Sequence, residues 1–347
     1  MSLRTVIVSL LILVAFIGAS CGGGNGGTSA PTVEIEGYEL TGPSREGSLI
    51  LTRPDGLYEF TIAGAEMQPL VSPDEPGSFI FDPAISPQAT QIAYVVQPPP
   101  RVVDGAYDSG SDIWIANRDG TNARLLYEHE EPNQLTRFPH WADENTVYAI
   151  IQVIEQVEGI TQVVYTLQRI DAGTGERAIV LEDTVAFDIS PAGTRIVYAK
   201  LDPTTSETLH AVDIDGQGNA AELVPVDEAL APFNSPHFSP AGDRIAFAAA
   251  DQNAAPPTGQ LFVTSQPVAT TLNGLPEDIW LIDADGSRPQ LVASLQEDIP
   301  ALTWGGDGEY IYVLGVNALY EISLGNGAIE EIGEGAFHGQ LVWAPGE

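Results

Sequence analysis

Beyond residue 45 the chain runs in short stretches where apolar and polar side chains alternate, broken repeatedly by Pro, Gly, Asp or Asn. Alternation with period two marks half-buried β-strands, and no long segment keeps the 3.6-residue apolar period of an amphipathic helix. One phrase recurs. "AFDISPAGTRIVYAK" at 186–200 and "NSPHFSPAGDRIAFAAA" at 234–250 share it with "DPAISPQATQIAYVV" from Asp82, "FPHWADENTVYAII" from Phe138 and "ALTWGGDGEYIYVL" from Ala301, while "GQLVWAPGE" closes the chain. Each predicts a hairpin: an apolar strand, a polar turn, then a second apolar strand.

Aligning the phrases on their apolar anchors gives Ile85, Trp141, Ile189, Phe238, Trp304 and Trp343. Intervals of roughly 40 to 65 residues indicate a repeated supersecondary unit. A second hairpin follows most phrases, as in "DIWIANRDGTNARLL" (112–126), "TLHAVDIDGQGNAAELV" (208–224), "DIWLIDADGSRPQLV" (278–292) and "ALYEISLGNGAIEEI" (318–332). Their Asp-Gly and Asn-Gly pairs predict two-residue turns with both φ angles positive. Two hairpins make a four-stranded antiparallel sheet, and sheets repeated in this way bury both faces by standing around an axis.

The predicted fold class is therefore all-β, a six-bladed β-propeller spanning residues 46–347. "GSLILTRPDGLYEFTIAGAEMQPLV" (47–71) lacks an innermost strand, and the C-terminal phrase supplies one, so the two chain ends share a blade and close the ring. The long insertions, 97–111 and 251–277, fall between second and third strands, on the face shared with the interblade crossings. The first-to-second and third-to-fourth turns occupy the other face.

The wording Ser-Pro-x-Gly-x-x-Ile-Ala-Phe, carried by Ser239, Pro240, Gly242, Ile245, Ala246 and Phe247 and again by Ser190, Pro191, Gly193 and Ile196, resembles the TolB-like, WD-repeat-like propeller repeat of bacterial envelope proteins. The repeats at Trp141 and Trp304 depart from it in the turn. The resemblance implies the fold and not a function, since such repeats occur in partner-binding scaffolds, as gates in front of peptidase domains and in proteins of unknown role.

The first twenty residues, with Arg4, an apolar run from Val6 to Ile17 and small residues before Cys21, follow the plan of a signal peptide (1–20). Ala19, Ser20 and Cys21 resemble the lipobox of bacterial lipoproteins, with Gly18 where an aliphatic residue is usual, which implies lipidation of Cys21. Residues 21–45 then read as a Gly-rich tether. With one cysteine, an internal disulfide is excluded. The expected location is extracytoplasmic, on the outer side of the cytoplasmic membrane, with the membrane touched through the lipid only. The formal charge of -35, from 48 acidic against 13 basic residues, excludes nucleic acid as a partner.

Chemistry is sparse. No Gly-x-Ser-x-Gly elbow and no phosphate-cradling loop occurs. The position before each anchor reads Ala84, His140, Asp188, His237, Thr303 and Val342, so three consecutive blades place His140, Asp188 and His237 at one height on the channel wall. Such a set suits a divalent metal or acid–base work. Equivalent positions on neighbouring blades are, however, expected to lie about 10 Å apart, too far for one ion with bonds of about 2 Å. No catalytic residue or other cofactor is assigned. In the insertion at 251–277, Leu261, Phe262 and Val263 are apolar residues that a solvated loop does not need, and they form the candidate partner-contact segment. The functional expectation is a non-catalytic binding or scaffolding module for a protein, peptide or glycan of the cell envelope. The alternative is a metal-dependent lactonase or lyase with its site in the channel.

Overall fold

A computed structural model describes residues 47–346, apart from 104, 158–159, 203–206, 225–229, 252–275 and 298. The signal segment, Cys21, the tether and the segment Leu261, Phe262 and Val263 all lie outside the described residues. Six four-stranded antiparallel sheets follow one another as blades, and the described residues contain no helix. Their innermost strands are Leu341–Ala344 in blade 1, Phe79–Ile85 in blade 2, Leu135–Asp143 in blade 3, Thr184–Ile189 in blade 4, Leu230–Phe238 in blade 5 and Ala301–Trp304 in blade 6.

Blade 1 is built from both ends of the chain. Leu341–Ala344 pairs with Ser48–Arg53, matching Ser48 with Ala344 and Leu51 with Leu341. Trp343 stacks on Tyr312 of blade 6 at 5.7 Å, and at Gly47 a Cβ atom would run into the Trp343 ring. The seam thus needs a glycine where the chain enters the ring.

Burial explains why alternation fades in the second strands. The core consists of six apolar clusters, one between each pair of neighbouring blades. In Arg244–Asp251, Ile245, Phe247 and Ala249 pack towards blade 4 while Ala246 and Ala248 pack towards blade 6. A strand covered on both sides must be apolar at every position, and small residues recur where sheets approach closely. A fully buried side chain such as Phe247 contributes about 1.5–3 kcal/mol relative to exposure. Trp141 and Trp304 are buried in these clusters, with Trp114, Trp280 and Trp343 packed partly against them.

The turns correct one expectation. Gly120, Gly216 and Gly286 have positive φ, but the Asp before each does not. Gly120 N–H donates to Asn117 O and Asn117 N–H to Thr121 O, which describes a type I turn closed by a left-handed glycine rather than a two-residue turn. The Asp instead caps the turn, as where Thr121 N–H donates to Asp119 Oδ1. The repeated Ser-Pro-x-Gly works similarly: Ser239 Oγ accepts the Arg244 N–H, Ser239 O accepts the Gly242 N–H, and Gly242 takes φ 74°.

Ala89 occupies the same left-handed slot in blade 2, at φ 55°. Because an L-residue costs about 1–2 kcal/mol there, Gly242→Ala is expected to lower stability by about that amount, since its added Cβ meets only ordinary contact with Pro191 at 3.6 Å. Ala89→Gly should raise stability by about 0.5 kcal/mol, the relief being offset by added freedom of the unfolded chain. Urea midpoints of the two variants check this, and a wild-type midpoint for Gly242→Ala would contradict it.

Candidate functional site

The inner strands of blades 2, 3 and 5 each carry a β-bulge, with Asp82, Phe138 and Ser235 in the left-handed region at φ 50°, 53° and 45°. Each bulge lies two residues before the channel-wall position and re-aims the side chains that follow. As a result His140, Asp188 and His237 meet. His140 Nδ1 lies 3.1 Å and His237 Nδ1 3.6 Å from the same Asp188 Oδ1 atom. The side chains therefore reach one another across the channel wall, which the expected spacing of about 10 Å between their positions did not anticipate.

Asp188 is buried, and its Oδ2 accepts the Phe238 N–H of the next blade at 2.7 Å. Burial alone would raise its pKa, but the two imidazoles and the Phe238 N–H outweigh burial and hold the carboxyl below its usual range. Burial lowers the His140 pKa, more than the Asp188 charge raises it. Near neutral pH the arrangement is therefore a carboxylate beside a neutral His140.

A metal would need ligands converging on one point about 2 Å away. Among the described residues no group of three or more His, Cys, Asp or Glu side chains is so arranged. The contacts of the cluster are those of a polar seam joining blades 3, 4 and 5.

A second network, missed in the sequence, surrounds the channel mouth on the crossing face. Asp82, fully buried, accepts Arg137 Nε–H at 2.7 Å and the Phe138 N–H at 3.2 Å, while its other oxygen accepts the Gln340 N–H at 3.1 Å. Ser235 Oγ–H donates to Gln340 Oε1 at 3.1 Å. Blades 5, 1, 2 and 3 are thereby tied past the short inner strand of blade 6. Arg137 lies over the Phe138 ring at 4.5 Å and the Phe81 ring at 5.4 Å.

The third feature lies within the insertion at 97–111, which is a small hairpin of Arg101–Val103 with Ala106–Asp108 rather than an irregular loop. Val102 pairs directly with Tyr107, so both side chains stand on one side of the ribbon, where they are 70% and 60% exposed. A two-stranded hairpin is marginal alone, and this one is clamped at its base. His129 Nδ1 lies 2.6 Å from Asp112 Oδ1 and Nε2 3.1 Å from Asp108 Oδ2. Asp108 also accepts the Gly110 and Asn133 N–H groups, and Asn133 Nδ2–H donates to Tyr107 O. At Gly110 a Cβ would run into the His129 ring. Blade 3 raises a longer hairpin from the same face, Thr146–Val157 with Ile160–Asp171, on which Ile154 is 43% exposed. Its signal was present as matching alternation on both sides of Glu158-Gly159.

The clamp is a pH device with a defined sign. Burial alone would lower the His129 pKa, but Asp112 and Asp108 outweigh it and raise it, while Asp108 is lowered to about 2. Among the described residues Arg101 also lies close to the pair, 3.6 Å from Asp108. A raised histidine pKa means that the contribution is complete below about 6.5 and is lost as pH rises through the folded value. We expect His129 to titrate above its ordinary value by NMR, and exchange protection of hairpin amides to fall as pH rises above about 6.5 and through the folded value. In His129→Gln that pH dependence should vanish; if it persists, the clamp is not its cause.

No family model matches the chain, and no curated protein matches it in sequence. Solved structures do resemble it. TolB from Acinetobacter baumannii aligns with TM-score 0.57 at 16% identity, covering 86% of this chain and 67% of that one. A chain of a nidogen/laminin complex aligns at 0.58 and 10%, covering 86% and 98%. The putative TolB from Agrobacterium tumefaciens aligns at 0.51 and 12%, covering 84% and 90%. At these identities the likeness is one of fold: the chain is a six-bladed β-propeller similar to those of the TolB structures.

Proposed function

We propose that this propeller is an exported binding or scaffolding module, lipid-anchored through Cys21 at the outer side of the cytoplasmic membrane, which receives a protein or peptide of the cell envelope on its crossing face. One observation carries the reading. Val102 and Tyr107 form an uncovered apolar pair on a hairpin whose base is held by Asp108, His129 and Asp112. Ordering a projecting hairpin in advance removes an entropic cost of association, and uncovered apolar pairs on a rigid base suit an interface core. The neighbouring hairpin with Ile154 widens the same surface.

The fold likeness is consistent with this reading, since one of the similar chains comes from a nidogen/laminin complex, a pairing with another protein. The N-terminal pattern of Arg4, apolar run and Cys21 supports export and anchoring.

The test places a photo-crosslinking residue at Tyr107 in the intact cell envelope, with Asp119 on the opposite face as the control position. A discrete adduct is expected at 107 and not at 119, and it should be lost when Val102 is changed to Ser. Adducts equal at both positions, or none at 107, would refute docking on the crossing face. Export and anchoring are tested separately, by metabolic labelling with a fatty acid, which Cys21→Ser should abolish.

A further inference from the structure

We infer that the crossing face takes a basic polypeptide, whose apolar side chains seat on Val102 and Tyr107 while its cations face a fence of paired carboxylates. This deepens the docking reading above and rests on it. The interblade crossings repeat an acidic doublet: Asp74-Glu75 between blades 1 and 2, Glu130-Glu131 between blades 2 and 3, and Glu182-Asp183 between blades 3 and 4. In sequence the doublet recurs as Asp227-Glu228 and Glu297-Asp298. All six side chains of the first three doublets are exposed.

Two of these doublets bracket the hairpin. The crossing with Glu130 and Glu131 touches it through His129 and Asn133, while Gly77, just after Asp74-Glu75, lies against Pro99 at its entrance. The apolar pair therefore sits between two acidic edges.

Charge is sorted across the disc. Arg118, Arg169, Arg195, Arg244 and Arg288 stand at or beside the turns of the opposite face. Many acids on that face are occupied, as Asp119, Asp215 and Asp285 each cap a turn and Asp283 holds Arg288 at 2.6 Å. On the crossing face Arg101 and Arg137 are ion-paired to Asp108 and Asp82, while Arg177 pairs with Glu130 and the exposed Lys200 lies beside Glu182-Asp183, so the acidity is offset only at those places.

An anionic surface of this kind repels nucleic acid and anionic lipid and steers a basic chain towards itself. A polycation alone would leave Val102 and Tyr107 in water. The matching partner is both basic and apolar.

The probe is a fluorescent peptide alternating Lys with Val and Tyr, compared with its Glu counterpart on the full propeller. Anisotropy is expected to show binding of the Lys peptide only, weakening as salt rises from about 50 to about 300 mM. The triple reversal E75K, E131K and E182K should weaken binding roughly tenfold. An equal reversal on the turn face, E66K, E176K and D213K, should leave it within about twofold. Equal loss in both triples would mean attraction to bulk charge, and no loss in the first would mean that the crossing carboxylates do not hold the basic chain; either overturns the inference. V102S with Y107S discriminates the underlying reading: if the Lys peptide still binds unchanged, the hairpin is not the dock. If instead the envelope adduct at Tyr107 depends on Val102 but ignores the crossing reversals, docking stands and the basic partner falls.

Discussion

Every sheet in this ring has two apolar faces, and only its neighbours can cover them. The constraint is visible in a single strand, Ser48–Arg53, where Leu49 and Leu51 enter the cluster shared with blade 6 and Ile50 enters the one shared with blade 2. A blade removed from the ring would expose both faces and two strand edges, which water and other chains would attack. Stability is therefore a property of closure, and the four residues of Leu341–Ala344 complete a barrier that the other blades depend on. The glycine at position 47 and the stacked Trp343 belong to the same requirement.

With the ring held by interblade packing, the inner strands are free to be irregular. Three of them spend left-handed backbone at Asp82, Phe138 and Ser235. Such positions persist where surroundings over-determine them, and here the surroundings are polar: Asp82 accepts the bulge N–H of Phe138 in the next blade, and Asp188 accepts the N–H of Phe238, three residues past the Ser235 bulge. A carboxylate from one blade thus satisfies the backbone of the next. The channel wall is stitched by charge where its outer sheets are joined by apolar contact.

Much of this was legible in the residues. The repeat, the number of blades and the shared first blade follow from Ile85, Trp141 and their equivalents, because anchors in a repeated core obey a pattern that sequence records directly. The convergence of His140, Asp188 and His237 was legible as equivalence of position but not as contact, since Pro83, Pro139 and Pro236 after the bulged residues mark an irregularity without giving the direction in which it turns the side chains that follow. The Asp108, His129 and Asp112 clamp was illegible for another reason. Its members come from an insertion, a third strand and a crossing, and of the three Asp112 alone occupies a repeated slot, at the head of the Asp-Ile-Trp phrase. Turn geometry failed at the level of detail: Asp-Gly announced a turn correctly, but whether the Asp takes positive φ or spends its carboxylate as a cap depends on the loop around it.

The place where the chain enters the ring has a mechanical consequence. Ser48 begins a strand flanked on one side by Leu341–Ala344 and on the other by Gly56–Thr61, with four paired positions on the first side and six on the second. Tension arriving from the preceding residues pulls along that strand's own axis, so the flanking hydrogen bonds bear load together, in shear, rather than opening one after another as in a zipper. A force applied to Ser48 is thereby spread over the closing seam, where the first and last described strands are side by side.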